Sequence, residues 1–267
     1  MQWIEIFGYI GALFIGLIMG VLGGGGSILA VPILAYIFHF DEKIATAYSL
    51  FIVGSTGLVG GFKQATNKMV DWKAVLNFGL PAVIGITITR AFVVPALPDV
   101  LFEINNFEFT RRMGMFGLFA ALMILAATSM LSNKKERRIR NKSTQFHPLM
   151  LSEGFFIGAL TGLVGAGGGF LIVPALMVIA QLDMKRASAT SLVIIALNSL
   201  TGFFLGDATK ITIDWSFLLV FLSIAMAGII IGTYVNKFLP VVLLKKTFAY
   251  FIIVMAIFIF IEEFIIG

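Results

Sequence analysis

The chain contains no cysteine, only two histidines and seven prolines, and charged residues make up 12% of its 267 positions. Without cysteine there is no disulfide, no thiolate nucleophile and no Cys-ligated metal. The charged fraction is about half that of an ordinary soluble domain, which excludes a water-soluble enzyme. Strict apolar–polar alternation is missing too: Leu218–Ile231 and Phe248–Ile261 are continuous apolar runs. The strands of an outer-membrane barrel would alternate over about 10 residues each. Acids are scarce inside the apolar runs. All fourteen, from Glu5 to Glu263, fall in loops or near expected helix ends, as do His39 and His147. Intramembrane proteolysis would need a buried Asp pair, a His-held metal or a Ser–His arrangement. No catalytic constellation and no metal or prosthetic-group site is read.

What is present is apolar: 59% AVILMFWYC, with mean hydropathy +1.02. At about 20 residues per helical crossing, there is room for six to eight spans and for no sizeable soluble domain. The net charge of +5 and pI near 9.5 come from lysines and arginines in short connections, the pattern of cytoplasmic loops, not of nucleic-acid binding. The opening MQWIEIFGYI lacks the basic start of a cleaved signal peptide, so the first helix is expected to be retained.

The sequence repeats itself. Phe14–Pro32 (FIGLIMGVLGGGGSILAVP) aligns without gaps to Phe156–Pro174 (FIGALTGLVGAGGGFLIVP), a shift of 142 with 10 of 19 positions identical. The register continues through Asp41/Asp183, Ser49/Ser191 and Gly60/Gly202, and after a one-residue slip pairs Asp71-Trp72 with Asp214-Trp215. The organisation read is repeat one over 1–131, a basic linker over 132–150, and repeat two over 151–267. Each repeat offers three ordinary spans: 44–62, 74–95 and 111–131, then 186–205, 215–235 and 244–264. Each opens with a segment broken by glycine, 6–40 and 151–182. The arms of the first broken segment are about 20–25 Å at 1.5 Å per residue, short for a crossing of about 30 Å. The segment is either one tilted crossing or a hairpin that enters and leaves on the same side. Positive charge decides between them. With hairpins, fourteen Lys and Arg share the linker's side and four the other; with eight full crossings the split is ten against eight. The expected fold is therefore an all-α polytopic membrane protein with two inverted repeats, each a re-entrant glycine hairpin plus three transmembrane helices. The linker would face the cytoplasm.

Inverted-repeat transporters bind substrate near the midplane, where broken helices expose their N-termini. Gly23, Gly24, Gly25, Gly26 and Ser27 in one hairpin and Gly165, Gly167, Gly168 and Gly169 in the other would present free amides and positive dipole ends, an anion site. Gly16-x-x-x-Gly20 and Gly158-x-x-x-Gly162 read instead as helix-packing pairs. Arg90, the one cation well inside an apolar run, is an anion-binding candidate; the alternative is snorkelling to the headgroups. Asn198, Ser49 and Ser191 add polar side chains on the helices that follow each hairpin. With no acid within a span, a proton accompanying transport is expected to travel on the substrate.

The paired openings GLIMGVLGGGGSILAVP and GALTGLVGAGGGFLIVP, with ATAYSL and ASATSL and a central basic loop, resemble the sulfite exporter TauE/SafE family of bacterial membrane transporters. The resemblance covers almost the whole chain. It implies transport of a small sulfur-containing anion such as sulfite, thiosulfate or an organosulfonate across the bacterial inner membrane. A channel-like anion pore and a non-transporting membrane scaffold are the alternative readings. Gly24 opposite Ala166, and Ser27 opposite Gly169, break the internal symmetry.

Overall fold

A computed structural model describes residues 3–104, 107–131 and 148–266, so most of the basic linker lies outside the described residues. The first element, α1 (Trp3–Leu22), ends at Gly23, whose φ of 75° and ψ of −129° lie in a region that glycine enters readily and residues with a Cβ do not. The chain then turns back as α2 (Gly24–Ile37). A Cβ on Gly8 would meet the ring of Phe38, one on Gly11 would meet Ile33, and one on Gly26 the backbone of Ile15 and Met19. These contacts run in opposite senses, so α1 and α2 are antiparallel. Pro32 lies inside α2 and is followed by a wide π turn, Ile33–Ile37, as expected where proline removes a helical hydrogen bond.

Long apolar helices follow: α3 (Glu42–Thr66) and α4 (Trp72–Ala96), then α5 (Arg111–Leu131). Between α4 and α5 lies an antiparallel hairpin of β1 (Val100–Ile104) and β2 (Phe107–Thr110), which an all-α reading does not contain. Alternation explains it: Phe102 and Phe109 share a face and stack with centroids 4.6 Å apart, a cross-strand aromatic pair. The second half repeats the pattern. α6 (Pro148–Val164) breaks at Gly165–Gly168, and α7 (Gly169–Val178) precedes α8 (Met184–Asp207), α9 (Trp215–Asn236) and α10 (Val241–Ile265). Six of these helices, α3, α4, α5, α8, α9 and α10, are long and apolar enough to cross a membrane.

The duplicated aspartates start the helices. Asp41 and Asp183 accept backbone N–H bonds from Lys43 and Arg186 at 3.2 and 3.0 Å, and Asp71 and Asp214 from Ala74 and Phe217 at 3.0 and 3.1 Å. Each satisfies a donor that the first turn leaves unpaired.

The halves interlock. α1 packs on α9, where a Cβ on Gly16 would strike the backbone of Ala225 and one on Gly20 that of Gly232 and Thr233. α6 packs on α4 in the same way, Gly154 meeting Phe78, Gly158 meeting Ala82 and Gly162 meeting Thr89. These are packing glycines, and in both pairs the helices run parallel. The corresponding helices α3 and α8 also pack together, but here Gly54 meets Leu200 while Gly61 meets Val193. That pair is antiparallel. Exchanging one half for the other therefore reproduces the packing scheme.

Candidate functional site

The two glycine breaks touch. A Cβ built on Gly24 would collide with the backbone of Gly169, and one on Gly169 with the backbone of Gly24. The helices α3 and α8 hold this junction. Gly23 rests against Ser188 of α8, and Gly165 against Thr46 of α3. Since Gly23/Gly165 and Thr46/Ser188 are repeat mates, one contact occurs twice. Gly23 and Gly165 share a φ of 75°. Around the first break the Gly24 amide donates to Ser191 Oγ at 3.4 Å. Ser191 Oγ donates in turn to the Ser188 carbonyl at 2.8 Å, and Ser27 Oγ to that of Gly24 at 2.7 Å.

Along α3 and α8, the helices that hold the junction, several buried polar groups are left without partners. Ser49, Thr56, Asn198 and Ser199 are 0% exposed, yet Ser49 Oγ, Thr56 Oγ1, both amide atoms of Asn198 and Ser199 Oγ make no hydrogen bond. A Cβ on Gly167 would stand 2.7 Å from Ser199 Oγ and 2.6 Å from Val53. Each buried polar group left unsatisfied costs about 1–3 kcal/mol. Such groups are normally paired with protein, water or a ligand. Unsatisfied groups on the two helices that hold the breaks are what a polar site closed off from solvent requires.

Arg90 completes the second break. Its side chain is 1% exposed, which rules out snorkelling to the headgroups. Nη1 donates to Thr46 Oγ1 at 3.2 Å and lies 3.2 Å from Asp207 Oδ2, while Nε and Nη2 have no partner. A Cβ on Gly165 would collide with Nη2, so an unpartnered guanidinium N–H lies against the glycine break. Both members of the ion pair stand on π turns, Thr89–Val93 and Phe203–Asp207, and the missing Cβ of Gly206 lets the Arg90 stem approach.

Other predicted positions have different neighbours. Gly25 faces Phe248, Gly26 packs on the backbone of α1, and Gly168 abuts Thr161 of its own hairpin. Asp207 and Ser199 are the functional candidates that the sequence did not mark. Asp207 follows the apolar run FFLG as the last residue of α8. By sequence alone it resembles a solvated helix end, and only the approach of α4 buries it. Ser199 carries no signal beyond its neighbour Asn198. Among the described residues no group of three or more His, Cys, Asp or Glu is arranged to hold a metal ion.

Among the described residues, five ion pairs gather at the end where α3 and α5 begin and α4 and α8 finish. They are Arg90–Asp207, Lys43–Asp99, Arg111 with both Glu42 and Asp99, and Arg112–Glu263. The first and last join one half to the other.

Six long apolar helices packed around two glycine-broken helix pairs define a multi-pass helical membrane protein. The chain belongs to the sulfite exporter TauE/SafE family, whose profile matches residues 9–259. It is 29% identical over 252 residues to the probable membrane transporter protein YunE of Bacillus subtilis, covering 84% of this chain and 86% of that protein. A probable membrane transporter protein of Xylella fastidiosa is 28% identical over 251 residues, covering 92% and 90%. One of Methanocaldococcus jannaschii is 29% identical over 199 residues, covering 71% and 69%. No solved structure matches the chain.

Proposed function

We propose that the protein carries a small sulfur-containing anion, sulfite, thiosulfate or an organosulfonate, across the bacterial inner membrane by alternating access around the crossed glycine breaks. The observation that carries this reading is the set of buried, unpartnered hydrogen-bonding groups on the helices around the breaks: Ser49 on α3, Asn198 and Ser199 on α8, and the free face of Arg90 on α4. Each presents an N–H or O–H donor, which an oxyanion or sulfonate needs; the amide of Asn198 and a guanidinium edge suit tetrahedral oxygens. The glycine backbone keeps Cβ atoms away from the junction, so a ligand could approach the chain closely.

The antiparallel pairing of α3 with α8 supports two halves, 1–131 and 151–267, of inverted topology. The antiparallel arms of α1 and α2 support re-entrant hairpins. With the 132–150 linker in the cytoplasm, the first hairpin enters from outside and the second from inside. The ion pairs then fasten the outer end, while the complete burial of the polar cluster fits an occluded state. Substrate would reach it when one half rocks against the other. No prosthetic group is needed, because binding and release break no covalent bond.

The test is uptake of radiolabelled sulfite, thiosulfate and methanesulfonate into liposomes containing the purified protein. Saturable uptake of at least one, absent from protein-free liposomes, supports the reading. No uptake of any would refute it. Currents far above carrier turnover would replace the carrier with a pore.

A further inference from the structure

Arg90 and Asp207 are an ion pair buried against the second break, and the pair is only half complete. Nη1 bridges Thr46 and Asp207, while Nε and Nη2 remain free, Nη2 against Gly165. An isolated guanidinium in such surroundings is costly, so the carboxylate serves as its resident counterion. A substrate anion that engages the free N–H groups brings a second negative charge to one guanidinium. Two anions on one buried cation are unfavourable, as for paired carboxylates.

We propose that Asp207 is the proton-coupling group of this carrier: an arriving anion takes over Arg90, and the Asp207 carboxylate accepts one proton, which it releases when the anion leaves. The step balances, since one proton and one anion enter the site and one of each departs. It rests on the transport reading above and replaces the expectation that the proton rides on the substrate. The charged groups that face Asp207 are Arg90 from α4 and Lys210 from the following loop. The Lys210 ammonium is occupied in part by the carbonyls of Arg90 and Ala91, at 3.4 and 3.0 Å. α3 presents Thr46 to Arg90, and the apolar Leu50 and Phe51 to the stretch before Asp207. Arg90 is thus the main partner whose occupancy sets the charge on Asp207.

The experiment uses thiosulfate and methanesulfonate, which do not titrate near neutral pH, so neither can carry a proton. Labelled uptake and internal pH are recorded together in proteoliposomes holding a pH-sensitive dye. The wild type is expected to move about one proton with each anion. Asp207→Asn is expected to lower that ratio at least tenfold, and Asp207→Glu to restore it with a shifted pH dependence. Anion uptake by the wild type without proton movement would overturn the coupling proposal and leave the carrier reading standing, whereas no anion uptake would strike the carrier reading itself. An unchanged proton-to-anion ratio in Asp207→Asn would also overturn it. If Asp207→Asn does not insert, Asp207→Glu decides: a displaced pH midpoint of coupling supports the assignment and an unmoved one refutes it.

Discussion

Gly24 and Gly169 approach so closely that neither position has room for a methyl group. One residue opens the return arm of the first hairpin and the other that of the second. The contact therefore fixes the distance between the two breaks.

Alanine at either position should wedge the hairpins apart. Overfilling a packed site costs about 1–3 kcal/mol, and both substitutions fill the same gap. Thermal unfolding of purified protein should show Gly24→Ala and Gly169→Ala each destabilised, with the double variant losing less than the sum. Gly57→Ala is the comparison, because its Cβ would find its nearest neighbour, the Leu192 carbonyl, at 3.2 Å. Strict additivity at 24 and 169 would mean that the two breaks do not share the gap.

The Arg90–Asp207 pair makes a stability prediction independent of transport. Arg90→Ala strands a buried carboxylate and should cost about 3–5 kcal/mol. Removing Asp207 as well should recover a large part of that loss, because the stranded charge goes with it. A double-mutant cycle on unfolding midpoints measures the recovery, and a double variant as unstable as the sum of the singles would argue against a direct pair.

Topology can be read directly, since the chain has no native cysteine to remove. Lys68, exposed between α3 and α4, and Asp99, whose side chain is 83% exposed, lie at opposite ends of the bundle. In intact cells an impermeant thiol reagent should label Asp99→Cys and spare Lys68→Cys until the membrane is opened. The reverse pattern would invert the proposed orientation, and equal labelling would dissolve it.

The duplicated aspartates should act as caps, not ligands. Asp183→Ala removes the acceptor for the Arg186 amide and is expected to cost about 0.5–2 kcal/mol. Uptake per correctly folded molecule should stay within about twofold of wild type. A complete loss of uptake with unchanged stability would give Asp183 a direct role in the path.

Much of this architecture was readable from the residues. Long apolar runs announce the membrane helices, and the repeated GGGG…VP and GAGGG…VP openings mark where helices must break, because consecutive glycines and a downstream proline disfavour a continuous helix. The same reasoning placed Arg90 and Asn198 among the candidates. It did not find Asp207, because burial of a residue at a helix end depends on which other helix crosses it. That information lies in the α4–α8 packing and in the missing Cβ of Gly206, not in local periodicity. Gly25 and Gly26 read like their neighbours in sequence, and only the fold shows that their missing Cβ atoms make room for Phe248 and for the backbone of α1. The β-hairpin between α4 and α5 is not legible, because VLFEI and FEFT are too short for a strand pattern to stand out among much longer apolar signals.

The central claim is that the unpartnered polar groups beside the glycine breaks exist to bind a transported anion. Asn198→Leu tests it most directly, because Asn198 is fully buried and both its amide atoms are unsatisfied. Replacing such a group with an apolar one of similar volume should leave stability unchanged or raised. The initial rate of labelled anion uptake, measured in liposomes loaded with equal amounts of folded wild-type and variant protein, is predicted to fall at least tenfold while the unfolding midpoint holds or rises. Uptake at the wild-type rate by a variant that folds as well would contradict the account.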